Sequence, residues 1–155
     1  MKAYKKGIIG ILILFIMVSC ALESQFALPN DEKIKTELIG EWYFEKNSDE
    51  GIKIMKNGEK SYNLKIVDKK ETEELIGFSI TIKGFSIMNV KTESKGITKN
   101  IFYGFSLNGN TLTFSEVNDK LRDKEFKSES ELLKFFEENV TKEGFFINHS
   151  ELKRK

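Results

Sequence analysis

Four kinds of residue in this chain could do chemistry: one cysteine, one histidine, a Gly-Phe-Ser triplet that occurs three times, and paired carboxylates. A serine nucleophile on an elbow needs Gly-x-Ser-x-Gly between a strand and a helix. Gly-Phe-Ser begins at Gly77, Gly84 and Gly104, but Thr81, Met88 and Asn108 stand where the second glycine is required. His149 is the only histidine and lies near the C-terminus, which argues against a His-based triad or a His-rich metal site. Glu73-Glu74 and Glu137-Glu138 read as solvated faces, not as an acid/base pair. No Asp/Asn loop fits an EF-hand and no glycine-rich phosphate loop occurs. The expectation is therefore a protein without catalytic residues, metal or cofactor: not an enzyme.

Cys20 is the remaining reactive group, and its setting is distinctive. A basic start, Met1 to Lys6, precedes an uncharged apolar run from Gly7 to Val18, and Ser19 stands just before the cysteine. That order is the pattern of a secretory signal. The apolar run is too short for a membrane-spanning helix, which needs about 20 residues. Met17-Val18-Ser19-Cys20 resembles the lipobox of bacterial lipoproteins, in which the cysteine is thioether-linked to a diacylglycerol and becomes the first mature residue. The resemblance implies a signal peptide at 1–19 and a lipidated Cys20 carrying palmitate-type chains. It also implies a place in the bacterial cell envelope, with Ala21 rather than Asp pointing to the outer membrane over the inner. A plain cleaved signal peptide is the alternative. Two or more acyl chains hold stably, since each buried methylene contributes about 0.8 kcal/mol and one chain holds only marginally.

Removal of residues 1–19 takes away Lys2, Lys5 and Lys6 and no acid, so the 25 basic and 24 acidic side chains of the whole become 22 and 24. A near-neutral mature chain with interspersed signs excludes a basic nucleic-acid binder and an acidic tail. Its length suits one domain, expected to be monomeric. With no other cysteine, that domain must hold without disulfides. Thirteen Phe, four Tyr and one Trp supply its bulk.

The elements follow from pattern. Asn30 or Asp31 can cap a short helix through Ile34 and Leu38 that Gly40 closes. Trp42 to Phe44 open a strand; Ile52 and Ile54, then Tyr62, Leu64 and Ile66, alternate with period two. Asn57-Gly58 and Asn108-Gly109 are strong hairpin signals. Phe78, Ile80 and Ile82 share a face, whereas Phe85 and Ile87 are offset by an odd number. That offset predicts a bulge or corner at Lys83-Gly84. Ile101 to Phe105, Leu112 and Phe114 continue the strands. Ser128 to Glu131 fits a capping box, and Leu132, Leu133, Phe135, Phe136 and Val140 recur at helical spacing before Gly144 and a short strand at Phe145 to Ile147. The fold class is mainly β: an antiparallel up-and-down meander curling into a small barrel, with a short N-terminal helix and one C-terminal helix. The expected organisation is signal 1–19, lipidated Cys20 and tether 20–30, barrel 31–148 and basic tail 149–155.

Gly40-Glu41-Trp42, at the exit of the first helix, resembles the Gly-x-Trp signature of lipocalins and of lipocalin-like bacterial lipoproteins. The resemblance implies that Gly40 and Trp42 plug the closed end of the barrel. Arg122 is the only internal arginine to set beside the stacking arginine of that family. An eight-stranded barrel can hold one small ligand or be filled by side chains. The candidate lining is Tyr43, Ile54, Tyr62, Leu64, Phe78, Ile80, Phe102 and Phe114. Two readings stay open. One is a lipid-anchored module binding a small apolar ligand. The other is an envelope or surface interaction protein (adhesin, inhibitor or assembly factor) with a solid β core and a protein partner.

Overall fold

A computed structural model describes residues 21–44, 49–68 and 71–155. The expected signal peptide and Cys20 lie outside the described residues. The strands are β1 (Glu23–Ser24), β2 (Gly40–Tyr43), β3 (Gly51–Asn57), β4 (Ser61–Asp68), β5 (Glu71–Ile82), β6 (Phe85–Ser94), β7 (Ile97–Asn108), β8 (Thr111–Val117) and β9 (Phe146–Arg154), with one helix, α1 (Glu129–Asn139). Strands β2 to β9 pair in sequence order, every neighbour antiparallel, and β9 returns to β2 through Trp42↔Arg154 and Tyr43↔Lys153. The result is a closed eight-stranded barrel with β1 as an extra strand on β7. Closure pairs each of the eight barrel strands with a neighbour on both sides, and only the two-residue β1 stands at an edge among the described residues.

The tight turns fall where the dipeptides place them. Gly58 and Gly109 take φ of 78° and 59°, a region open to glycine at little cost. Lys83-Gly84 corrects an expectation. Both residues have positive φ, 50° and 84°, so the chain reverses there in a two-residue hairpin instead of bulging within one strand. The hairpin sets Ile80 against Ile87 and Ile82 against Phe85, which accounts for the odd offset.

Three further expectations are corrected. In place of a short N-terminal helix there is one 3-10 turn, Thr36–Leu38. Of the two capping candidates, Asn30 bonds Ser61 instead, and within the same segment the Glu32 carboxylate accepts from the Thr81 N–H and hydroxyl. Ile34 N donates to the Glu59 carbonyl at 2.9 Å, so the β3–β4 turn takes this donor. Residues 21–30, expected as a tether, form a buried strap. Leu22 N donates to the Val117 carbonyl, Leu28 N donates to Asn89 Oδ1, and both leucines are buried. Asn89 and Asn100, bonded to each other at 2.9 Å, are buried polar groups that fix the strap, Asn100 donating to the Ser24 and Gln25 carbonyls. Residues 149–155, expected as a basic tail, belong instead to β9 and its end, with Leu152 wholly buried.

Two apolar layers result. Inside the barrel pack Trp42, Ile54, Tyr62, Leu64, Met88, Val90, Leu112 and Leu152, under Leu38. Outside β5, β6 and β7, a second layer joins Ile80, Ile82, Ile87 and Phe102 to Leu132, Phe135, Phe136 and Val140 of α1 and to Leu22 and Leu28 of the strap. α1 starts at the predicted cap: Ser128 Oγ accepts from Glu131 N at 3.1 Å, while the Glu131 carboxylate reaches back one residue further than a capping box requires, to Lys127 N.

Candidate functional site: the barrel interior and its mouth

An up-and-down barrel puts alternate connections at opposite ends. The β3–β4, β5–β6 and β7–β8 turns share one end with the 3-10 turn Thr36–Leu38. That end is plugged. The Trp42 indole is fully buried and its Nε1 donates to the Leu38 carbonyl at 2.9 Å. The Arg154 guanidinium lies 4.2 Å from the Trp42 ring and donates to the Ile39 and Glu37 carbonyls at 2.9 and 2.6 Å. A Cβ on Gly40 would stand 2.6 Å from Arg154 Nη1, and the Gly40 φ of 145° also excludes most side chains. Gly-x-Trp thus makes room for an arginine as well as supplying the plug. The stacking arginine is Arg154, not Arg122. Arg122 lies outside the barrel, donating to the Glu23 carbonyl and pairing with Asp119 and Glu125. The alternation Ser150, Leu152, Arg154 was the available signal, hidden by the polar character of the segment.

Of the eight candidate lining residues, the structure brings four together inside: Ile54, Tyr62, Leu64 and Phe114. Phe78, Ile80 and Phe102 lie in the outer layer against α1 and the strap. Tyr43 alternates with Trp42 and so faces outward, where Lys155 approaches its ring and its hydroxyl meets Glu41. Met88, Val90, Leu112 and Leu152 line the interior without having been singled out. The Tyr62 hydroxyl accepts from Lys35 N at 2.6 Å and pairs with Ser79 Oγ at 3.2 Å, so this buried polar atom is satisfied and the tyrosine is fixed.

The opposite end carries the β2–β3, β4–β5 and β6–β7 turns and the long β8–β9 connection. Here the inward side chains are less covered. Tyr103 and Phe114 stack edge to face at 6.1 Å, and Phe114 meets Phe44 at 6.5 Å. Phe44 is 45% exposed, and Ile52, Leu75, Tyr103 and Phe114 are partly buried. Burial, and secondarily the charges of Glu116 and Glu23, hold the Tyr103 phenol well above its ordinary range, so it stays a neutral donor at the mouth.

The glycines of the three Gly-Phe-Ser triplets each serve a turn or a close approach. Gly77 passes between Leu64 and Met88, Gly84 makes the hairpin, and Gly104 lies beneath the Phe146 ring. His149 Nδ1 contacts Ser115 Oγ at 2.5 Å on the outer wall, where Ser115 is 7% exposed. Among the described residues, no group of three or more His, Cys, Asp or Glu is gathered as a metal site, and no helix is long and apolar enough to cross a membrane. Comparison with protein-family models, with curated proteins and with solved structures returns no match.

Proposed function

We propose that the protein is a lipid-anchored bacterial envelope protein whose lipocalin-like barrel binds one small apolar molecule in its mouth half. The anchor is Cys20, and the outer membrane is the expected site. What supports the reading is the apolar surface left uncovered around the mouth, where Phe44, Ile52, Leu75, Tyr103 and Phe114 are only partly buried. At the other end Ile34, Ile39 and Leu107 are also partly buried, but Leu38, Trp42, Leu112 and Leu152 close the interior. Inward apolar surface left in water is what a ligand would cover, at about 25 cal/mol for each Å² removed from solvent. Ile54, Tyr62 and Leu64 would form the floor, and the neutral Tyr103 hydroxyl would supply one directed hydrogen bond.

Native mass spectrometry of the protein purified gently from its cells tests this. A discrete extra mass that leaves on denaturation is expected, and extraction would give its class. A bare chain mass, unchanged after incubation with a mixed lipid extract, would sink the carrier reading. It would favour the second one, a solid β core that offers the exposed Phe44 and Ile97 to a protein partner.

A further inference from the structure

The strap, expected as a tether, decides how an anchored domain would sit. Ala21 bridges Asn118 at the start of the β8–β9 connection, and Leu22 N is bonded to the Val117 carbonyl at 2.8 Å. Residue 21 is therefore already part of the fold, and it lies at the mouth end of the barrel. One residue of chain reaches at most about 3.6 Å. A membrane attachment at Cys20 would then hold the domain without slack, by the end that carries the mouth.

That end also exposes apolar side chains. Ile97, the first residue of β7 beyond the β6–β7 turn, is 60% exposed. Phe44 opens the β2–β3 connection and is nearly half exposed. Around this tip Glu93 and Lys95 offset each other in charge and Lys99 pairs with Glu23 at 3.4 Å, whereas the β4–β5 side of the same end carries Asp68, Glu71, Glu73 and Glu74. The β6–β7 tip, with Ile97 exposed and its charges offset, suits contact with the interfacial region of a bilayer, where apolar groups enter by about 5–10 Å. From the exit point of the chain and these exposed residues, we infer that the mouth rim, with Ile97 at its tip, lies against the membrane surface. The inference rests on the lipoprotein reading and extends it: the mouth would exchange its ligand with the bilayer and not with the aqueous phase, so the ligand class is a membrane-resident apolar molecule.

Acylation consumes the Cys20 thiol, and the chain has no other cysteine, so one introduced cysteine can be labelled alone. Ile97→Cys and Thr98→Cys place a fluorophore at the rim, and Lys60→Cys places it at the plugged end. Each full-length acylated variant is reconstituted into phosphatidylcholine/phosphatidylglycerol vesicles, with and without a lipid bearing a nitroxide near its headgroup. Loss of emission with the nitroxide lipid at 97 or 98, and none at 60, is expected. Equal emission at all three positions, or loss only at 60, overturns the orientation. The mass of the N-terminal peptide separates the two ideas. An unmodified Cys20 removes the lipoprotein reading and the inference together, whereas an acylated Cys20 with an unquenched rim removes the inference alone.

Discussion

Arg154 illustrates how one side chain can hold an end of a barrel. Its guanidinium stacks on Trp42 and satisfies two carbonyls that precede β2, tying the penultimate residue to the first strand of the closed sheet. A desolvated cation–π contact contributes about 2 kcal/mol, and the two charge-assisted hydrogen bonds add to it. Arg154→Ala should lower the urea midpoint by an amount equivalent to about 2–3 kcal/mol with an unchanged slope. An unchanged midpoint would mean the seam is held elsewhere. Tyr103 makes a pH prediction. Its phenol titrates higher in the folded chain than its ordinary value of 10.0, so the stabilisation is complete below about pH 10 and is lost as pH rises beyond it. Alkaline unfolding followed by Trp42 fluorescence should show this loss, and Tyr103→Phe should reduce it.

At the scale of elements, β9 carries more than its composition suggests. Only Leu152 among residues 149–155 is a large apolar residue, and the segment otherwise reads as solvent-facing. Pattern could not mark it, because a strand needs just its inward positions to be apolar and one of those is Arg154. The strap escaped for a related reason: backbone bonds and two buried asparagines hold it, not a periodic stripe. The hairpins at Asn57-Gly58 and Asn108-Gly109 and the cap at Ser128 were legible, since each needs a particular residue type at a particular place. A chain ending at His149 loses both pairs that close β9 on β2. It should fail to unfold cooperatively and should lose the near-ultraviolet signal of Trp42. Retention of a sharp transition would show that the seam is dispensable.

At the scale of the molecule, the sequence left one ambiguity that only packing resolves. Along β5 to β7 both faces are apolar, because the inside meets the opposite wall while the outside meets α1 and the strap. Alternation names the two sets and not which is inner, so Phe78, Ile80 and Phe102 could be assigned to the interior on equal grounds. Ile54, Tyr62 and Leu64 carried no such ambiguity, since β3 and β4 have few apolar residues on their outer faces. The proposed anchor can be tested apart from the fold. Among the described residues the outer layer begins at Leu22, next to the buried Ala21. If Cys20 is the anchor proposed above, Cys20→Ser should move the protein from the membrane to the soluble fraction, and a thermal midpoint within about 1 °C of the parent would show that the anchor is lost without the fold. Protein that stays on the membrane after this substitution would have to be held by another part of its surface, with the rim at Phe44 and Ile97 the first place to test.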